Sequence, residues 1–142
     1  MEAEDGLIPL NAVGGGQEDD KCVYIVRFKS KEGNYIIDKL VEGNKSAEAS
    51  HSGVQTSSFY QVLINSDPKK NFKWITTNGK NIPENAFVAG KEEGNSVYVG
   101  RLFQFSDSIL ISKFNASQLP LFLTHGEYKK RRDHQFEVLC VF

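Results

Sequence analysis

Two acid–lysine pairs stand at the same spacing in this chain. Glu18 precedes Lys39 by 21 residues, and Glu92 precedes Lys113 by the same 21. A carboxylate beside an ammonium group offers an acceptor and a donor, which together suit two adjacent hydroxyl groups of a sugar. The alternative for each pair is a surface salt bridge, which is common and contributes little to stability. The sequence leaves both interpretations open.

The pairs belong to an internal repeat. Residues 8–40 and 82–114 align without a gap at an offset of 74, and 11 of the 33 aligned pairs are identical. Unrelated stretches of this length would share only about two or three residues at ordinary frequencies. Val62-Leu63 matches Val138-Leu139 at an offset of 76, so the second copy carries two extra residues in its later part. We therefore predict that the chain contains a duplication. A repeat constrains the architecture more strongly than the assignment of any single strand or turn does.

The repeat predicts an all-β fold with two pseudo-symmetric halves packed as one globular domain. Alternating segments rich in Val, Ile, Tyr and Phe favour antiparallel strands, about eight to ten in all. A turn is expected at Gly16 to Asp20, and Gly14-Gly15-Gly16 is also interpreted as turn chemistry. The segment 42–58 is expected to be a loop that could hold a short strand around Val54. We predict a first repeat at 6–65, lacking an opening strand that corresponds to the one around Trp74, a linker at 66–70 and a second repeat at 71–142. The predicted strands are 23–29, 35–41, 59–65, 71–76, 97–105, 109–114, 119–123 and 135–142.

Composition argues against several classes of protein. The formal net charge is −1 with 25% charged residues, so no overall basic surface favours nucleic acid. No apolar run reaches the roughly 20 residues that a membrane-spanning helix needs. The acidic start lacks the apolar segment of a signal peptide, which predicts a cytoplasmic protein, with unconventional release left open.

The histidine, serine and cysteine residues do not form a pattern typical of an active site. His51, His125 and His134 lack the spacing of metal ligands, and no serine or cysteine lies in the context of a nucleophile. We therefore expect a protein without catalysis, metal or other cofactor. The basic run at 129–132 could bind phosphate or serve as a nuclear address, but a solvated hairpin loop is favoured. Arg27 and Arg101 end the same strand in both copies and are interpreted as structural.

One set of residues in the second copy forms a recognisable pattern. It consists of Trp74-Ile75, Asn78-Gly79, Ile82-Pro83, Ala86, Ala89-Gly90, Glu92, Val97-Tyr98-Val99-Gly100-Arg101, Lys113 and Phe136-Glu137-Val138-Leu139. This pattern resembles the DM9 repeat, and the resemblance covers nearly the whole chain as a tandem pair. Characterised members include mannose-specific lectins of bivalve molluscs that act in innate recognition of microbial glycans. The resemblance thus implies an all-β protein, often a homodimer, that binds mannose-type glycans.

In those lectins an acidic residue and a lysine hold the mannose. By resemblance, these roles fall on Glu18 with Lys39 and on Glu92 with Lys113. The Pro-Gly that precedes the lysine in the lectins is replaced here by Ile37-Asp38 and Ile111-Ser112. The alternative hypothesis is therefore an intracellular structural or interaction module that kept the fold without sugar binding.

Overall fold

The computed structural model describes residues 1–29, 35–49, 55–77, 81–103, 109–115 and 136–142. Within these ranges the regular secondary structure consists of β-strands, arranged in two antiparallel sheets. The expected all-β class is confirmed. Two predicted features lie wholly outside the described residues, namely the strand at 119–123 and the basic run at 129–132. The three histidines lie outside them as well.

The first sheet contains seven strands. Their order is β1-β7-β3-β4-β5-β6, and β2 pairs with β3 beside this path. The strands are β1 (Glu2–Glu4), β2 (Gly14–Glu18), β3 (Lys21–Lys29), β4 (Tyr35–Val41), β5 (Ala47–Ala49), β6 (Gln55–Ser57) and β7 (Phe59–Val62).

The second sheet contains five strands. Their order is β11-β10-β12-β8, and β9 pairs with β10 beside this path. The strands are β8 (Phe72–Thr77), β9 (Gly90–Glu92), β10 (Asn95–Phe103), β11 (Ile109–Phe114) and β12 (Phe136–Val141). The twelve strands of the described residues exceed the eight to ten predicted.

The central strands of the two sheets pair in the same register. Arg27 lies opposite Ile37 on β4 and Gln61 on β7. At the offsets found in the sequence, Arg101 lies opposite Ile111 on β11 and Glu137 on β12. The strand pairing therefore shows the same duplication as the sequence.

A shared core joins the two halves. Apolar residues from one face of each sheet meet and are buried. This core includes Val23, Ile25 and Ile37 from the first repeat and Val97, Val99, Ile109, Ile111 and Leu139 from the second. Each repeat also buries a smaller cluster of its own, around Leu40 and Phe114 respectively. The chain therefore packs as one unit.

The glycine-rich segment is a strand, which corrects the prediction of a turn over residues 14–20. Only Asp19 and Asp20 form the turn, with φ of 47° and 67°. Two consecutive residues with positive φ make the tight hairpin turn whose twist matches that of the flanking strands. Glu93 and Gly94 repeat this geometry with φ of 51° and 82°. The segment before the turn stays extended because β3 supplies its hydrogen-bond partners.

Two other segments can be compared with the prediction. The first repeat was expected to lack an opening strand like the one around Trp74; the three-residue edge strand β1 pairs with β7 as the six-residue strand β8 pairs with β12. Backbone hydrogen bonds suffice for this pairing, so it does not require a tryptophan: the Val62 N–H donates to the Met1 carbonyl at 2.7 Å. The segment 42–58, expected to be a loop with a short strand around Val54, contains the hairpin of β5 and β6, and β6 begins at Gln55. The strand β5 was not predicted.

Candidate functional site

Glu18 and Lys39 meet at the junction of the two repeats. The Lys39 Nζ donates to Glu18 Oε1 and, at 2.7 Å, to the carbonyl oxygen of Ile109 on β11. The Ile109 N–H in turn donates to Glu18 Oε1 at 2.6 Å. The Glu18–Lys39 pair of the first repeat therefore bonds both the N–H and the carbonyl group of Ile109 in the second repeat.

Glu92 and Lys113 make the reciprocal arrangement. The Lys113 Nζ donates to Glu92 Oε1 and, at 2.6 Å, to the carbonyl oxygen of Tyr35 on β4. Tyr35 is the counterpart of Ile109 at the offset of 74 residues. Each lysine thus binds the same backbone position of the opposite repeat, and we call these two clusters site 1 (Glu18, Lys39) and site 2 (Glu92, Lys113).

The two sites differ in exposure. The side chains of Lys39 and Glu18 are 12% and 14% exposed, whereas those of Lys113 and Glu92 are 20% and 40% exposed. Among the described residues, Oε2 of each glutamate has no hydrogen-bond partner. Site 2 therefore presents more of its carboxylate to solvent than site 1 does.

The residue before each lysine also distinguishes the sites. Asp38 is fully buried, and its Oδ1 accepts the N–H of Lys39 at 2.8 Å. Its counterpart Ser112 is also buried, and its hydroxyl donates to the Lys113 carbonyl at 3.3 Å. Site 1 therefore holds a second buried carboxyl group near its lysine, and site 2 holds a hydroxyl group instead.

Arg101 forms a second connection between the repeats. Its guanidinium makes two hydrogen bonds to the Glu137 carboxylate, at 3.1 and 3.0 Å, and donates to the Gly15 carbonyl at 2.8 Å. The guanidinium carbon also lies 4.5 Å from the centre of the Trp74 ring, in cation–π geometry. Arg27 bonds the Gln61 side chain at 2.5 Å and lies over Tyr35. The structural interpretation of the two arginines is confirmed.

Close contact between the repeats explains the glycines of β2. A Cβ added to Gly15 would lie 2.6 Å from Cδ1 of Ile111, and one added to Gly16 would lie 2.7 Å from Cδ1 of Ile109. Ile109 and Ile111 are buried in the shared core. The glycines therefore allow β2 to approach β11, which places Glu18 within reach of Ile109.

We expect the substitution Gly15→Ala to lower the free energy of unfolding by about 1–3 kcal/mol, because the added methyl group overpacks a filled core. The change Ile111→Val removes the contacted Cδ1 and alone should cost about 0.5–1.5 kcal/mol. The double variant should lose less than the sum of the two. Chemical denaturation of all three variants measures this coupling. Gly14→Ala is the control, since a Cβ there meets nothing within 4 Å, and strictly additive losses would contradict the contact.

The described residues offer little to metal or nucleophilic chemistry. They contain no group of three or more His, Cys, Asp or Glu side chains placed to hold a metal ion. Burial raises the pKa of the Cys140 thiol, which disfavours the reactive thiolate. Sites 1 and 2 themselves present hydrogen-bond donors and acceptors.

Comparison with protein families agrees with this architecture. The family model of the DM9 repeat matches residues 17–103, more than half of the 142 residues. The chain belongs to the DM9 repeat family. The match contains Glu18, Lys39 and Glu92, whereas Lys113 lies beyond its end. No curated protein matches the chain. In the described part of this DM9 repeat protein, no helix is long and apolar enough to span a membrane.

Sequence reasoning found both acid–lysine pairs but missed their partners across the junction. The Ile109 carbonyl completes site 1, and the Tyr35 carbonyl completes site 2. Residue types could not indicate these partners, because the two side chains differ and every residue has a carbonyl group. The offset of 74 was the only available signal, because it places these two residues at equivalent positions.

Proposed function

We propose that this DM9 repeat protein is a carbohydrate-binding module that recognises mannose-type glycans, mainly through site 2. The observation that supports the proposal is the pairing of Glu92 and Lys113 at the surface, with the glutamate 40% exposed. The equivalent Glu18 and Lys39 are paired in the other repeat. The resemblance to mannose-binding lectins assigns the sugar contacts to the same four residues.

The chemistry of the pair fits two neighbouring hydroxyl groups. An ammonium group has three donors, and Lys113 uses two of them on Glu92 and Tyr35. The third donor and the Glu92 Oε2 remain for a ligand, so one sugar hydroxyl can accept from the lysine while its neighbour donates to the carboxylate. Hydrogen bonds to charged groups are the stronger ones, at about 1.5–3 kcal/mol each.

Two sites per chain favour binding through multivalency. A single exposed pair makes few contacts, so we expect weak binding to a monosaccharide. A branched glycan that engages both sites, or both chains of a homodimer, would bind more tightly because the second contact becomes intramolecular. We therefore propose clustered mannose-type glycans as the preferred ligands.

A second candidate function is an interaction module without sugar binding. Each lysine is bonded to a carbonyl oxygen of the opposite repeat, so the pairs also hold the two halves of the protein together. That role alone would explain why both copies retain Glu and Lys. Under this alternative, the surfaces of the two sheets would serve a protein partner.

We expect titration with an oligomannose glycan in a calorimeter to show binding that Glu92→Gln and Lys113→Met each weaken by at least about tenfold, equivalent to 1.4 kcal/mol. The reason is that each variant removes one charged partner of the sugar hydroxyls. The matched control is Lys91→Met, which removes an exposed lysine next to Glu92 on β9. Thermal unfolding of each variant checks that the fold persists. Absence of glycan binding by the folded wild-type protein would contradict the lectin proposal and support the interaction module.

A further inference from the structure

Two cations lie over the ring of Tyr35, the residue that connects site 2 to the first repeat. The Arg27 guanidinium carbon lies 4.5 Å from the centre of this ring, and the Lys29 Nζ lies 5.5 Å from it. The carbonyl oxygen of the same tyrosine accepts the Lys113 Nζ at 2.6 Å. Both charges therefore lie one residue away from site 2. We call Arg27, Lys29 and Tyr35 the cationic cluster.

The equivalent residues beside site 1 carry no net formal charge. Arg101, the counterpart of Arg27, makes two hydrogen bonds to the Glu137 carboxylate. At the offset of 74, Phe103 stands where the first repeat has Lys29. The excess of positive charge is therefore specific to the neighbourhood of site 2.

An amide replaces the carboxylate in the first repeat. Gln61 stands at the position of Glu137, and its Oε1 accepts the Arg27 Nε–H at 2.5 Å. The three ion pairs found among the described residues involve neither Arg27 nor Lys29. The acid Glu2 lies opposite Gln61, so its backbone is two strand spacings, about 10 Å, from that of Arg27. The amide thus orients the guanidinium without neutralising it.

The cationic cluster is accessible from solvent. Lys29 is exposed and Tyr35 is 39% exposed, whereas Ile109, which corresponds to Tyr35 in site 1, is only 1% exposed. A Cβ added to Gly16 would meet the Ile109 side chain at 2.7 Å, but one added to the equivalent Gly90 meets nothing within 4 Å. Tyr35 therefore does not fill the space beside β9 as Ile109 fills the space beside β2, and a ligand at site 2 can reach the cluster.

From these contacts we propose that the glycan bound at site 2 carries an oxyanion ester, either phosphate or sulfate, which the cationic cluster binds. The inference rests on the proposed function, because it specifies the ligand of the same site. The sugar hydroxyls bond Glu92 and Lys113, and the ester oxygens accept hydrogen bonds from Arg27 and Lys29. A planar guanidinium donates two parallel bonds to such oxygens, and the ammonium adds a compact positive charge.

Calorimetric titration of the full chain with three matched glycans tests the inference. They are an oligomannose, the same glycan with a phosphate monoester on a terminal mannose, and the same glycan with a sulfate ester there. In low salt we expect at least one ester to bind about fivefold or more tightly than the neutral glycan, as for hydrogen bonds between charged groups. Added salt should reduce this advantage, because exposed charges are screened.

The outcomes separate this inference from the proposed function. Equal affinities of the three glycans would overturn the role of the cationic cluster and leave mannose recognition standing. Absence of binding of all three by the folded protein would overturn both. Inorganic phosphate alone should bind more weakly than the phosphorylated glycan. Equally tight binding of inorganic phosphate would also overturn the inference, since the anion would then gain nothing from the sugar at site 2.

A lysine variant locates the ester. Lys29→Met should weaken binding of the tighter ester by about threefold or more, the upper range for an exposed charge pair, and should affect the neutral glycan less. Lys73→Met is the matched control, because Lys73 also lies over an aromatic ring, that of Phe142 at 5.8 Å. Lys73 belongs to β8, at the opposite edge of the second sheet from β11, and its loss should change neither affinity.

A second variant neutralises the arginine without removing it. Gln61→Glu gives Arg27 the carboxylate partner that Arg101 has in Glu137, and it should lower the preference for the ester by about threefold or more. Thermal unfolding checks that both variants are folded. An undiminished preference for the ester in folded Lys29→Met and folded Gln61→Glu would place the oxyanion elsewhere and overturn the inference.

Discussion

The variant Trp74→Ala is expected to lose about 3 kcal/mol of unfolding free energy, the lower end of the range for truncating a large aromatic residue in a core. The lower end applies because Trp74 is only partly buried. Three contacts disappear together, namely the packing on the shared core, the cation–π contact with Arg101 and the hydrogen bond to Gly14. All three contacts join β8 to residues of other strands.

Denaturant unfolding followed by circular dichroism measures the effect of Trp74→Ala, since Trp74 is the only tryptophan and its fluorescence is lost. Thr76→Ala on the same strand is the control, because Thr76 is exposed. Free indole should partly restore the Tm of Trp74→Ala by occupying the vacated position. A loss below about 1 kcal/mol would show that the second repeat holds together without the indole, contrary to the packing described above.

The variant Lys39→Met is expected to lose about 2–3 kcal/mol of unfolding free energy. Methionine keeps most of the apolar stem but leaves the Glu18 carboxylate, only 14% exposed, and the Ile109 carbonyl without their ammonium partner. Removing one member of a largely buried ion pair costs several kcal/mol because the other charge stays uncompensated. The equivalent Lys113→Met should lose only about 1 kcal/mol, since solvent reaches Glu92 and screens its charge.

The comparison of Lys39→Met with Lys113→Met separates stability from binding. Denaturation curves of both proteins, with Lys91→Met as the exposed control, give the difference directly. Because Lys113→Met is expected to remain folded, a loss of glycan binding in that variant reflects site 2 itself. Equal losses of unfolding free energy at the two lysines would contradict the difference in burial between site 1 and site 2.

Much of the fold could be predicted from the sequence because the duplication and the strand pattern are local or periodic signals. The segments 35–41 and 109–114 coincide with β4 and β11, whose apolar residues are mostly buried on both faces of the sheets. The offset of 74 also identified Glu18, Lys39, Glu92 and Lys113 as pairs, and all four side chains meet as two ion pairs. Sugar binding at these pairs stays a prediction.

Local rules failed where the opposite repeat determines the structure. Gly14 to Gly16 resemble a turn by composition, yet they form a strand because β3 pairs with them and the side chains of Ile109 and Ile111 occupy the space that a Cβ would need. The pairing of β1 with β7 could not be read from residue types, because it depends on backbone groups, which every sequence carries.

The sequence by itself thus determined the duplicated all-β architecture and the two acid–lysine pairs. Only the tertiary structure decided that each lysine binds the opposite repeat and that the indole of Trp74 bonds the Gly14 carbonyl. These features depend on contacts between residues 60 or more positions apart, among them the Trp74–Gly14 and Lys39–Ile109 bonds. Such contacts depend on backbone carbonyl groups and on the packing of the two sheets. The spacing of residues along one strand encodes neither of these.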